Sequence, residues 1–358
     1  MIVYFLAFIL TFIFVMLYKK VNICLMSKKR FSFFWSKILD FLFLLLSIFP
    51  LWFISAFRYN VGTDYLNTYV RYYEETKLGW KPYSEFLFQW LNEFLVEKEL
   101  SVVWLFAITS FVFLLFTFKT IYNYSTNVYI SVFILFISGM FFNSLNNVRQ
   151  YMALAISVYG YFHKNKFYGM LLIAISLFIH FSCILIIPLF IMKYVRKIEH
   201  TKKIDFFIIS ILLLTLSPFL CKIIKYILEV SKYNYFINIE NAGFSLLFFI
   251  VNATLLLIMM LVYDNKDKSF VNFAYIQLLS FILCVCAFLM PNEEFWMRVI
   301  RITAFFQIIF VPDIVSRSLK FKTGCISTIL IYSTYLVYTV YTMVIMGGNE
   351  ILPYRFIF

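Results

Sequence analysis

Long apolar runs separated by short polar clusters dominate this chain. At the helical rise of about 1.5 Å per residue, runs of this length are candidates to cross a bilayer. They fall at 2–18, 39–57, 101–121, 128–142, 148–163, 168–192, 205–221, 244–263, 270–290, 299–316 and 325–346. The pattern predicts an all-α fold, a polytopic transmembrane helical bundle of about eleven spans (ten to twelve), read as a single membrane domain over 1–358. The longest polar insertion is 58–100, with five basic and seven acidic residues. Within it, Tyr65, Tyr69 and Tyr72 or Tyr73 recur at helical spacing over 65–78. Over 83–99, Phe86, Leu87, Trp90, Leu91, Phe94 and Leu95 share one face, opposite Glu85, Gln89, Glu93 and Glu97. Both stretches are predicted to be helices lying in the membrane interface, apolar side down.

Composition removes the soluble alternatives. Of 358 residues, 63% are hydrophobic and 14% charged, against about 25% charged in a soluble domain. The net charge of +13 is gathered beside the apolar runs, where it sets orientation and attracts anionic lipid rather than nucleic acid. The cysteines at 24, 183, 221, 284, 286 and 325 form no CxxC pair, and there are three histidines. No metal site is expected, and no cofactor; the cysteines read as small buried hydrophobes. No Walker-type phosphate loop is present.

Lys19, Lys20, Lys28, Lys29 and Arg30 follow the first apolar run, the reverse of a cleavable signal, so an uncleaved first helix is expected. The basic loops 19–37, 193–203 and 317–322 are expected inside, and 58–100, 222–243 and 291–298 outside. One parity conflict remains: if 148–163 and 168–192 each cross once, the basic 193–203 loop lands outside. A re-entrant or broken segment within 168–192, interrupted near His180 and Pro188, repairs it.

Charge at the end of or inside an apolar run is costly, so each such residue is a functional candidate. Arg58 opens the polar insertion, followed by Gly62, Thr63, Asp64, Tyr65 and Tyr69. A tight turn at Gly62-Thr63 would bring Asp64 back towards Arg58, either as part of a site or as a plain loop salt bridge. Asn143, Asn146, Asn147, Arg149 and Gln150 fall between two apolar runs. A cation at a helix start is poorly placed for the helix dipole unless it meets a bound anion; the alternative is an arginine reaching to headgroups. His180 is the histidine set within an apolar run and can exchange a proton near neutral pH, or else bond a neighbouring helix. Arg298 and Arg301 are three apart on one helix face and can grip a diphosphate, unless Glu293 and Glu294 simply neutralise them.

On these residues the chain resembles the EpsG family, Wzy-like membrane polymerases of bacterial exopolysaccharide and capsule. The matching segments are Phe57 to Tyr65 with Tyr69, Asn147-Val-Arg149-Gln150-Tyr-Met-Ala153 and Ile179-His180-Phe-Ser182, with Arg298 and Arg301 fitting the later pattern. The resemblance implies a multi-pass protein of the bacterial cytoplasmic membrane. Its substrate would be an oligosaccharide repeat unit on undecaprenyl diphosphate, joined to another by glycosyl transfer at the outer face. Asp64 or His180 would be the catalytic base. Arg58, Tyr65, Tyr69, Asn147, Arg149, Gln150, Arg298 and Arg301 would bind substrate. Membrane lipid, a flippase and a chain-length regulator of the same pathway would be its partners. The competing readings are a flippase or transporter of lipid-linked sugars, and an O-antigen-type ligase or membrane acyltransferase using His180.

Overall fold

Runs this apolar have one way to satisfy their backbone without water, which is to bond it within the run, and the described residues are accordingly helical. A computed structural model describes residues 1–27, 33–195, 201–230, 246–289, 293–322 and 324–358. Lys28, Lys29, Arg30, Arg196, Lys197, His200, Pro291 and Asn292 lie outside the described residues, as does most of the 222–243 loop. The chain divides into two compact units, 1–184 with 339–358, and 185–338.

The first unit holds α1 (Ile2–Ser27), α2 (Phe33–Ala56), α3 (Arg71–Lys77), α4 (Phe86–Glu97), α5 (Val102–Tyr124), α6 (Val128–Ile137), α7 (Met140–Asn146), α8 (Val148–Phe162) and α9 (Lys166–Ile179). Helices α1, α2, α5, α8 and α9 pack each on the next in that order. Asn165 starts α9: its side-chain oxygen accepts from the N–H groups of Phe167 at 2.9 Å and Tyr168 at 3.2 Å. Gly160 of α8 lets α9 approach closely, since a Cβ there would fall 2.7 Å from the Gly169 carbonyl oxygen.

The second unit holds α10 (Ile186–Met192), α11 (Lys203–Thr215), α12 (Ser217–Val230), α13 (Leu246–Leu261), α14 (Lys268–Leu289), α15 (Glu293–Ala304), α16 (Gln307–Ser318) and α17 (Gly324–Thr339). Its interior carries a polar knot. Asn252 Oδ1 accepts from Gln277 Nε2 at 3.2 Å, Ser280 Oγ at 2.9 Å and Gln307 Nε2 at 3.1 Å, while Tyr335 donates to Gln307 Oε1 at 2.7 Å. Such knots join helices where apolar side chains have no reason to prefer one another over lipid. At the unit's polar edge, Arg317 is gripped by Asp264, Asp267 and Asp313.

Among the described residues, four helices are long and apolar enough to cross a membrane: Lys37–Ala56, Val102–Tyr124, Lys268–Leu289 and Gly324–Ile345. Three bent pairs raise the number to seven if each is one span. The pairs coincide with the expected runs 128–142, 205–221 and 299–316, each broken by 52° or 53°. Over the runs 2–18, 168–192 and 244–263 the apolar helical stretches among the described residues are 10–17 residues long.

Two details depart from the sequence reading. The interfacial helix over 65–78 is a π-turn, Tyr65–Val70, running into α3, and its tyrosines 65, 69 and 73 point into the protein. In α4 the apolar face is split: Phe88, Leu91 and Leu95 pack inward, while Phe86, Trp90 and Phe94 stay exposed. The helix packs on α3, α5 and α9, which draws in one side of it and turns Gln89 and Asn92 inward as well.

Candidate functional site

The segment after α2 is pinned from two directions. Arg58 is 2% exposed. Its Nε donates to the Val61 carbonyl at 3.3 Å, Nη2 to the Leu145 carbonyl at 3.0 Å, and Nη1 to the Ser55 carbonyl. The guanidinium lies 4.3 Å from the centre of the Phe106 ring, on which Tyr65 stacks at 4.7 Å. Burial draws the Arg58 pKa down to about 10, countered by the surrounding tyrosines, so it stays charged at neutral pH. Arg58 thus ties the end of α2 to α7. The loop salt bridge is not what the geometry shows, because this side chain turns inward onto main-chain oxygens.

Gly62 follows with φ +105°, a conformation closed to most side chains, and a Cβ there would meet the Leu145 carbonyl oxygen at 3.1 Å. That close approach delivers Thr63 and Asp64 to Asn146. The Asp64 N–H donates to Asn146 Oδ1 at 2.8 Å and the Thr63 hydroxyl to the same oxygen at 2.9 Å. The chain's last residues close the arrangement. Asn146 Nδ2 donates to Asn349 Oδ1 at 3.2 Å, and Asn349 Nδ2 to Asn143 Oδ1 at 2.8 Å. Gly62 and Thr63 donate their N–H groups to the carbonyls of Glu350 and Asn349, and Tyr59 to that of Arg355. Nothing in the apolar pattern pointed to 347–358 as part of this region.

In the asparagine cluster between the two apolar runs, Asn143 and Asn146 lie in the buried α7 and Asn147 ends it. Gly139 breaks the run after α6, α7 turns by 52°, and Asn147 at φ −90°, ψ 56° turns the chain again into α8. Arg149 stands in the first turn of α8, as its place in the sequence predicts, and Gln150 beside it is buried. The Tyr69 hydroxyl meets both the main-chain N–H and the side chain of Arg149, capping the helix from outside. The guanidinium also lies 4.8 Å from the Tyr83 ring centre and 5.7 Å from that of Phe88.

The partner of Arg149 is a residue that the sequence places on the polar face of the expected 83–99 helix and does not single out as a candidate. Glu85, the residue before α4, accepts from Arg149 Nη1 on Oε2 at 2.9 Å. Its other oxygen, Oε1, lies 3.2 Å from His180 Nδ1. All three side chains are mostly covered, at 23% exposure for Arg149, 12% for Glu85 and 15% for His180. Burial acts to raise the Glu85 carboxyl, but the hydrogen bond from His180 and the charge of Arg149 outweigh it and hold its pKa down to about 2. His180 reaches this carboxylate because α9 stops there: its backbone is extended at φ −156°, ψ 113°, and a 3₁₀ turn, Phe181–Leu185, follows. The break expected in 168–192 falls at His180, whereas Pro188 lies inside α10.

Of the sequence candidates, Arg58, Asp64, Tyr65, Tyr69, Asn147, Arg149, Gln150 and His180 all lie in the first unit. Asp64 is half-buried beside Asn146, whereas Tyr65 and Tyr69 are both 2% exposed. Arg298 and Arg301 lie on α15 in the second unit, both half-buried. Arg301 Nε is buried and has no hydrogen-bond partner among the described residues. No group of three or more metal-ligating side chains occurs among the described residues.

Compared with known proteins, residues 41–356 match the model of the EpsG family. No curated protein and no solved structure matches the chain.

Proposed function

The chain belongs to the EpsG family, and on that premise we propose that this exopolysaccharide-related membrane protein is a polymerase. It joins oligosaccharide repeat units carried on undecaprenyl diphosphate at the outer face of the bacterial cytoplasmic membrane. The observation that carries the reading is the meeting of Arg149 and His180 on one carboxylate, within 2.9 and 3.2 Å. A cation suited to a leaving diphosphate and a group suited to moving a proton thereby share one partly covered site.

In this reaction an acceptor sugar hydroxyl attacks the anomeric carbon of the donor repeat unit. The glycosidic C–O bond forms as the bond to the diphosphate oxygen breaks, and undecaprenyl diphosphate leaves with the bonding pair. His180 takes the hydroxyl proton, with Asp64 as the other carboxylate of the region. Arg149 faces the charge developing on the leaving diphosphate, where a preorganised cation in a site of low dielectric is most effective. Arg58 and Tyr65 act from behind, by holding the main chain of 58–64 and 145–146 in place. Within the second unit, Arg298 and Arg301 are proposed, by themselves, as a cation pair able to grip a diphosphate. The sugar–diphosphate bond supplies the energy, so the reaction asks for no nucleotide.

Purified protein in nanodiscs, given lipid-linked repeat units, is expected to produce a ladder of extended products. Arg149→Ala and His180→Ala are expected to abolish the ladder while the protein still expresses. Normal ladders from both variants would remove the site assignment. Build-up of unflipped repeat units in a deletion strain would point to a flippase instead.

A further inference from the structure

We propose that Glu85 is a positioning residue, whose carboxylate holds His180 as the Nδ1–H tautomer and so leaves the lone pair on Nε2. This rests on the reading of His180 as the base. It adds what sets that base, and from which part of the chain.

Each oxygen of Glu85 faces a different partner. Arg149 carries donors only and takes Oε2 at 2.9 Å. The ring nitrogen at ion-pair distance, 3.2 Å from Oε1, is Nδ1, and since an ionised carboxylate only accepts, a hydrogen bond closes there only with hydrogen on Nδ1. Neutral imidazole has a single N–H, and placing it on Nδ1 makes Nε2 the basic nitrogen. The imidazole and the guanidinium together keep the carboxylate ionised through the neutral range. Both side chains leave the ends of helices. Glu85 has extended backbone ahead of α4, at φ −86°, ψ 119°, and His180 has extended backbone after α9. Helices α4 and α9 pack directly, which fixes those two ends against each other. A carboxylate behind an imidazole in this way orients the ring and stabilises the cation that forms when the base takes its proton. Glu85 itself touches no reacting atom in this scheme.

Glu85→Gln separates charge from shape. Because Arg149 offers only donors, the amide oxygen must face it, which turns the amide NH₂ towards His180 Nδ1. The ring then has to accept at Nδ1, and its hydrogen moves to Nε2. The test uses full-length protein with ¹⁵N-labelled histidine in nanodiscs, with His163→Gln and His200→Gln removing the only other histidine signals. The expected spectrum shows His180 protonated on Nδ1 in the parent and on Nε2 in Glu85→Gln. Chain extension by Glu85→Gln is expected to lose about 10²–10⁴ in kcat with little change in KM. Glu85→Asp, which keeps the charge, is expected to retain the Nδ1–H form and part of the rate. An Nε2–H tautomer in the parent overturns the inference, as does a tautomer that Glu85→Gln leaves unmoved. A tautomer that follows Glu85 while His180→Ala extends chains normally would leave the positioning intact and remove the polymerase base.

Discussion

Asn349 donates its amide to Asn143 Oδ1 at 2.8 Å, although 206 positions of chain separate the two. The same side chain accepts from Asn146, whose oxygen in turn holds Thr63 and Asp64. The 3₁₀ turn Gly348–Glu350 therefore buttresses the residues just ahead of Arg149. Asn349 also has a left-handed backbone, φ +58°, which asparagine tolerates better than most residues. Asn349→Leu is expected to cost about 1–3 kcal/mol, by leaving buried amides unpaired and straining the turn. Hydrogen exchange checks it: amides of 59–66 should exchange faster, with 102–124 unchanged.

Arg58 is expected to behave as a structural cation. Arg58→Met strips donors from three main-chain carbonyls in a buried place, at about 1–3 kcal/mol for each one left unsatisfied. Melting of the detergent-solubilised protein should fall well below that of Arg149→Ala. Any activity that survives in folded Arg58→Met should show a KM for the lipid-linked donor near that of the parent. A large rise in KM with unchanged melting would instead put Arg58 in direct contact with substrate.

Gly160→Ala tests how the closeness of α8 and α9 matters. The added Cβ would sit 2.7 Å from a main-chain oxygen, which cannot swing aside as a side-chain tip can. Overpacking of this kind costs about 1–3 kcal/mol. The helices must part, and His180 rides on the second of them. Loss of extension activity together with a lowered melting temperature is the expected result, whereas full activity would show that the pair tolerates separation.

The depressed pKa of Glu85 has a definite pH signature. Its carboxyl titrates from the usual 4.5 down to about 2 in the folded protein, so the stabilisation it lends is complete above about 4.5 and lost as pH falls towards 2. The Glu85 carboxylate's share of the packing of α4 on α9 should be complete above pH 4.5 and be lost progressively below it. Tryptophan fluorescence of a Trp90-only variant follows this directly, and Glu85→Gln should flatten the response.

The helices were legible because a bilayer imposes so few choices: apolar length marks a span, and a polar residue inside it marks a break. His180 and Arg149 stood out for that reason. Glu85 did not, since it is one acid among seven in a polar stretch and nothing local tells a surface carboxylate from one folded inward. Only the docking of α4 on α9 singles it out. The inward turn of Arg58 was hidden for the opposite reason, because its partners are main-chain carbonyls, which have no signature in side-chain order. Residues 347–358 were invisible too, being neither apolar enough nor periodic enough to predict an element. Bent helices look like straight spans in sequence, because a bend at a residue such as Gly139 leaves the hydropathy profile continuous.

The outward stripe of Phe86, Trp90 and Phe94 belongs to the same short helix that Glu85 precedes. Aromatic side chains settle at a preferred depth near the headgroups, and that depth follows the thickness of the bilayer. If α4 lies in the membrane interface, as its sequence predicts, lipid chain length is expected to shift the Glu85 carboxylate against Arg149 and His180. Rates measured in short-chain detergent and in full-length lipid will then report two adjustments of one instrument.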